Sequence, residues 1–360
     1  MNKQIHIPIP AISFNPPTYV CHRAKKKFLL DGCINKPFWD DAPFTDEFLD
    51  IEGGHMPVPR FVTRAKMLWD DENFYFAALL DGDEIWGHVT QRDDVIFQDN
   101  DFEIFIDPDS DTFQYYEFEM NVLNTVWDLF LPIPYRDGGG ALNGYDIHGL
   151  QTAVHVNGSI NAPGAANKDW SVEVVIPFAA LTECLKENRP PKNGEFYRVN
   201  FSRVQWKTDV IDNNYRKRTN EQGILLPEDN WVWAPTGVIN IHYPELWGYV
   251  FFSDDSSDTC SYTIPNDEYR KWELRKLYYA QQILLDTTGC YSNDFATLLD
   301  TLKAYAPNDS NTSLAPLDYH IETTSHTFLI SCLSADQQSE LVIHSSGKIE
   351  KLAIRAFSKN

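Results

Sequence analysis

Cationic residues are scarce in this chain: 30 Lys and Arg stand against 52 Asp and Glu, a formal net charge of -22. Such a surface repels phosphate backbones and anionic lipid, so neither nucleic acid nor membrane is an expected partner. An apolar run of transmembrane length is missing as well. The opening MNKQIHIPIPAISF carries one Lys and two prolines, with no apolar stretch long enough for a signal h-region. A soluble chain is expected, cytoplasmic unless a leader was removed. Cysteine is sparse too, with six residues, no C-x-x-C pair and no His at zinc spacing. They read as mostly free thiols of a reducing compartment, and a Cys21 to Cys33 bridge is left open.

What is abundant is aromatic and acidic side chains, and the stretch Val95 to Ile106, followed by Asp107-Pro-Asp-Ser-Asp111, concentrates both. From Asp101 the residues alternate. Phe102, Ile104 and Ile106 would face one side of a β-strand and Asp101, Glu103 and Phe105 the other, since successive strand side chains change sides. Phe97 and Asn100 lie just upstream. A flat ring beside acids and an amide suits a sugar, whose apolar face lies on the ring while its hydroxyls donate at the edge.

Short runs like this recur along the chain. Phe61 to Leu80 reads as a hairpin turning at Asp70-Asp-Glu-Asn73. Tyr115 to Val122 alternates Tyr116, Phe118, Met120 and Val122 with Glu117, Glu119 and Asn121. Pairing with the Asp101 strand would set like charges opposite one another, which costs stability unless water, a cation or an Arg such as Arg203 compensates. Further strands are expected at Val126 to Leu131, Gly149 to Val156, Trp170 to Pro177, Tyr197 to Trp206 and Trp247 to Ser253. Residues 1 to 27, with Pro8, Pro10, Pro16 and Pro17, read as an extended lead-in. The fold expected is mostly β: an antiparallel β-sandwich over 1–253 with a small α+β C-terminal domain over 262–357. The polar Asp254 to Ser261 would be the linker. Beyond it, helical spacing from Pro265 to Asp286 with Gly289 as a stop, a second helix at Ser292 to Ala304, and strands at His326 to Leu333, Glu340 to Ser345 and Lys348 to Ile354 make up the second part. A protein partner for that part cannot be named from the sequence.

The order Leu30-Asp-Gly32, Phe38-Trp39, Val62 to Trp69 with Asp70-Asp-Glu-Asn-Phe-Tyr75, Asn100-Asp-Phe-Glu-Ile-Phe-Ile-Asp107, Tyr115-Tyr-Glu-Phe-Glu-Met-Asn121 and Trp170-Ser-Val-Glu-Val-Val-Ile-Pro177 resembles the carbohydrate-binding module family 9 group. The resemblance covers about residues 18 to 253. It implies a DOMON-like β-sandwich, often stabilised by calcium, that binds sugars rather than cleaving them. It also implies a sugar held between two rings: Phe97, and Trp231 or Trp233 in Asn230-Trp-Val-Trp-Ala-Pro235. Glu103 becomes the acid of the site, with Asn100, Glu119, Gln205 and Trp206 as further contacts. Three departures stand out. The first ring is Phe where the family uses Trp, Glu119 stands where a basic residue is expected, and Pro134-Tyr-Arg-Asp-Gly-Gly-Gly140 is an insertion.

Two other chemistries are suggested by the acids. Asp107, Asp109 and Asp111 have the every-second-residue oxygen spacing of a calcium loop, although Thr112 stands where such loops carry glycine. Glu117 and Glu119 could be paired carboxylates of a glycoside-acting enzyme, the alternative to pure binding, but same-face strand neighbours meet that spacing by geometry alone.

Overall fold

A computed structural model describes residues 5–255 and 261–354. Most of the Asp254 to Ser261 stretch expected as a linker lies outside the described residues. Chain order runs β1 (Thr18–Arg23), β2 (Leu49–Asp50), β3 (Thr63–Trp69), β4 (Asn73–Asp81), β5 (Asp101–Asp107), β6 (Tyr115–Asn121), β7 (Val126–Leu131), β8 (Gln151–Asn157), β9 (Asp169–Pro177), α1 (Phe178–Leu181) and β10 (Phe196–Gln205). It continues with β11 (Thr208–Ile211), β12 (Asn214–Lys217), β13 (Asp229–Val232), β14 (Gly248–Ser253), α2 (Asn266–Thr288), α3 (Phe295–Tyr305), β15 (His320–Thr323), β16 (Phe328–Leu333), β17 (Ser339–His344) and β18 (Ile349–Ala353).

Twelve strands share one sheet in the order β7-β6-β5-β10-β14-β1-β3-β4-β9-β8, with β13 pairing β10 and β2 pairing β13. The sheet curls so that its two ends face each other across a single core, which is why it works as a sandwich. Phe76 of β4 and Phe201 of β10, far apart along the sheet, meet ring to ring at 6.0 Å. Trp69 of β3 meets Phe252 of β14 at 5.2 Å.

The sheet is mixed rather than purely antiparallel. β1 runs parallel to both β14 and β3, from Thr18 opposite Tyr249 to Arg23 opposite Trp69. The lead-in that its prolines make extended is thus a strand between two others. The prolines stop at Pro17, and the six following residues can all donate to the ladder.

The strands β5 and β6 are buried at every position. Their alternation alone suggests one solvated face. That outer face is instead roofed by the Pro134–Gly140 insertion and the segment 238–247. Phe105, Tyr115, Leu129 and Leu131 pack there against Trp247, with Ile241 and Trp127 at the margin.

In the C-terminal part α2 packs on β16 and β17 of the four-stranded antiparallel sheet β15-β16-β17-β18, and α3 packs against α2. Asp267 and Glu268 sit in the first turn of α2, where carboxylates offset the helix dipole, and Gly289 ends it at φ +83°. Its core also takes in Ile7, Ile9, Tyr243 and Leu246 from outside the C-terminal segment. The segment 238–247 therefore belongs to both cores. Glu245 is the polar pin of this junction. Its carboxylate lies 2.7 Å from Arg136 and 3.5 Å from Arg275, and accepts from the Tyr279 hydroxyl. All five described cysteines, Cys21, Cys33, Cys184, Cys290 and Cys332, are free, so Cys21 and Cys33 are not bridged.

Burial alone would raise the Glu245 pKa, but Arg136 and Arg275 override it and bring it down to about 2. A depressed carboxyl stabilises the fold above its unfolded value, and that stability is lost as pH falls through the folded value. Urea unfolding followed from pH 5 to pH 2 should therefore show a loss of stability that Glu245→Gln largely removes. At pH 7 the same substitution should cost about 3 kcal/mol, since it leaves Arg275 buried without its counter-charge and Arg136 with Asp137 alone, at 3.3 Å.

Candidate functional site

The register of four strands builds one row of side chains on the roofed face. Trp127 of β7 sits opposite Glu119 of β6, Glu119 opposite Glu103 of β5, and Glu103 opposite Ser202 of β10. In the next row Leu129 faces Glu117 and Glu117 faces Phe105. Above these rows opens a hollow of about 370 Å³, within the size range of small-ligand sites. Phe97 and Trp127 form one wall, with ring centroids 6.4 Å apart and planes tilted by 32°. Tyr135, Glu228, Asn230 and residues 239–242 make up much of the remaining lining.

The hollow is acidic. Burial first, tempered by the Ser202 hydrogen bond, pushes Glu103 up to about 7. Burial and neighbouring carboxylates raise Asp101, Glu117 and Glu119 well above the usual carboxylate range. Three of their oxygens, Asp101 Oδ2, Glu117 Oε2 and Glu119 Oε2, have no hydrogen-bond partner. Arg203, the expected compensating cation, is turned away. Its guanidinium donates to Gln205 Oε1 at 2.7 Å, Thr63 Oγ1 at 3.0 Å and the Asp81 carbonyl at 2.8 Å. His242 is held to about 3 by burial and by Arg136, so its imidazole is neutral. Its Nδ1 pairs with the Tyr115 hydroxyl at 2.8 Å.

Of the residues expected at the site, Phe97, Glu103 and Glu119 line the hollow. Phe97 is 37 % exposed, as a ring offered to a ligand must be. Trp231 and Trp233 are a correction: they are 3 % and 4 % exposed and lie in the main core. Trp231 packs edge-on to Phe61 at 6.3 Å, and Trp233 meets Phe201 at 5.8 Å. Gly248 leaves room for Trp233, since a Cβ there would stand 2.4 Å from its ring. A strand alternates, so the residue just before, Asn230 rather than Trp231, faces the hollow.

Asn100, Gln205 and Trp206 are also corrected, because all three are buried away from the hollow. Asn100 Oδ1 accepts from the Trp206 N–H at 2.8 Å, and the Trp206 indole donates to the Phe97 carbonyl at 2.9 Å. They hold the turn that carries the ring. Gln205 serves as acceptor for Arg203.

Among the lining residues missed by sequence reading are Trp127, Tyr135, Glu228, Asn230 and His242. Trp127 had a usable signal, because in VWDLFL it alternates with Val126, and pairing with Glu119 carries it to the acidic face. Tyr135 lies in the insertion, T-shaped against His242 at 4.6 Å. Burial, then Glu117 and Glu119, raise its phenol to about 12.

In the 107 to 111 loop, Asp107 accepts from the Ser110 and Thr112 N–H groups at 3.0 Å each, and Asp111 accepts from Phe113 N–H at 2.8 Å. Asp111 also faces Lys348 at 3.3 Å, while Asp109 is exposed. Each of the three aspartates still places one carboxylate oxygen within 4.8 Å of the other two.

The Glu103 pKa gives the hollow a pH signature. A carboxyl raised in the fold from 4.5 to about 7 makes the folded chain bind a proton that the unfolded chain releases, so stability falls as pH rises across that window. In chelator, urea unfolding should show a loss of roughly 1 to 3 kcal/mol from this group between pH 5 and pH 8, and Glu103→Gln should lessen the slope, leaving what Asp101, Glu117 and Glu119 contribute.

The family model described as carbohydrate family 9 binding domain-like matches residues 30–188. No curated protein matches the chain. Among solved structures, a putative carbohydrate-binding protein from Bacteroides uniformis ATCC 8492 is similar at 15 % identity, covering 66 % of this chain and 100 % of its own, with a TM-score of 0.46. A family 9 carbohydrate-binding module from Caldicellulosiruptor kristjanssonii in complex with cellotriose is 15 % identical, covering 69 % of this chain and 100 % of its own, with a TM-score of 0.42. The corresponding glucose complex gives 15 % identity, 68 % and 100 % coverage and a TM-score of 0.41. Within this mostly β fold, residues 30–188 are thus the part of the chain that matches the carbohydrate family 9 binding domain-like family.

Proposed function

We propose that the chain binds a carbohydrate without cleaving it, holding a small sugar or a glycan end in the hollow beside Glu103. The observation that carries this reading is the meeting of two rings, Phe97 and Trp127, with buried acceptors lacking donors, all around one hollow. The apolar face of a pyranose would lie along the two rings, and its hydroxyls would donate to Glu103, Glu117 and Glu119. The Trp127 indole N–H, which has no acceptor among the described residues, would donate to a hydroxyl oxygen. Compared with the sequence expectation, the second ring changes from the Trp231 and Trp233 pair to Trp127, with Tyr135 at the rim.

A specific observation also supports a second reading, a glycoside-acting enzyme. Glu103 near 7 and a neighbouring carboxylate across the strand pair have the composition of an acid and base couple.

Calorimetry with mono- and disaccharides tests the first reading, with affinities expected at about 1 µM to 1 mM, since a small ligand has few atoms to bury. Phe97→Ala and Trp127→Ala should each weaken binding about tenfold or more, in line with ~1 kcal/mol or more per stacked ring. Absence of heat with every sugar at millimolar concentration would overturn it. Trp231→Ala should instead lower stability by about 3 to 5 kcal/mol through the core cavity it leaves. Release of sugar product, abolished by Glu103→Gln, would decide for the enzyme.

A further inference from the structure

Below the proposed sugar-binding surface, Asp101, Glu103 and Glu119 each place one carboxylate oxygen within 4.8 Å of the other two. Asp101 is fully enclosed, and Glu119 and Glu103 are 2 % and 7 % exposed. Asp101 Oδ1 accepts from the Val204 N–H at 3.1 Å, but Asp101 Oδ2 and Glu119 Oε2 have no donor. Buried carboxylate oxygens without donors are rare and costly, and here they are clustered on adjacent strands. Among the described residues no lysine or arginine answers them. Arg203 is engaged by Gln205, Thr63 and Asp81, while Lys217 lies 3.5 Å over the Trp206 ring and donates to Gln98.

A hard divalent cation resolves this arrangement. Calcium holds oxygens at ~2.3 to 2.6 Å, so ligands on opposite sides of the ion stand about 5 Å apart, the span of this group. Three carboxylates supply three to six of its usual ~6 to 8 oxygens. Glu103 and Glu119 border the hollow, which leaves the remaining positions facing it. We infer that Asp101, Glu103 and Glu119 form a calcium site at the floor of the hollow, and that sugar hydroxyls complete the ion's coordination. The second half of this inference rests on the sugar reading, and the first half does not.

The test uses the full chain stripped with EGTA. Calcium is titrated by calorimetry, and terbium by its luminescence sensitised through the nearby Trp127. Wild type should bind calcium and melt several degrees higher when loaded. Asp101→Asn combined with Glu119→Gln should lose at least tenfold in calcium affinity, while Asp109→Asn with Asp111→Asn should retain it. Melting of the metal-free variants shows that they fold, and Glu119→Gln alone serves as a milder second probe. No uptake at millimolar calcium, or uptake unchanged in both floor variants, would overturn the site. Sugar titration then compares loaded and stripped wild type, with at least tenfold weaker binding expected after stripping. Equal sugar binding in EGTA would overturn the ion's part in recognition. Calcium uptake at the floor with no sugar bound in either state would count against the carbohydrate reading and leave the cation site standing.

Discussion

Glu103 stands directly across from Glu119 in the pairing of β5 with β6. Two acids in that relation repel, and both are almost wholly enclosed. The strands accept the conflict because their other face is among the best packed in the protein: Phe102, Ile104 and Ile106 from one strand, Tyr116, Phe118 and Met120 from the other. Slipping the register by one residue would relieve the charges, but would turn that apolar set out of the core. Apolar burial, at ~1.5 to 3 kcal/mol per large side chain, outweighs the repulsion. The strained acidic floor of the hollow is thus a consequence of the core beneath it.

The hollow would not exist on the open face of such a sheet. It needs walls, and these come from the Pro134–Gly140 insertion and the 238–247 segment, each anchored in the C-terminal part. Tyr135 faces the hollow while its neighbours Arg136 and Asp137 bond to Glu245 and Tyr278. Likewise residues 239–242 line the hollow while Tyr243 and Leu246 insert into the C-terminal core. One residue step along the chain separates a ligand-facing side chain from a buried brace. The C-terminal part therefore has a physical role at the site without contributing a side chain to it.

Several features were legible in the chain itself. The alternation of β5 and β6, the Asp70 to Asn73 turn, the long helix ended by Gly289 and the strands expected at Glu340 to Ser345 and Lys348 to Ile354 all depend on local periodicity and turn chemistry, and the observed elements match to within a few residues. Phe97 and Glu103 were legible for the same reason, as a ring and an acid on one short stretch. The tryptophan pair shows where local reading stops. Trp231 and Trp233 do share a side, as their spacing requires, but which side that is depends on the partners of β13, and those are β10 and β2, distant in sequence. The two-residue β2 carries almost no periodic signal.

The amino-acid sequence by itself determined the β-rich class, the acidic surface and the residues that alternate on each strand, because these follow from side-chain period and charge. The tertiary structure decided which face of the central strands is roofed, that β1 enters the sheet parallel to its neighbours, and that Trp127 and Tyr135 meet Phe97 around one hollow. Those outcomes depend on non-local pairing and on loops anchored in a second core, and no window of neighbouring residues encodes them.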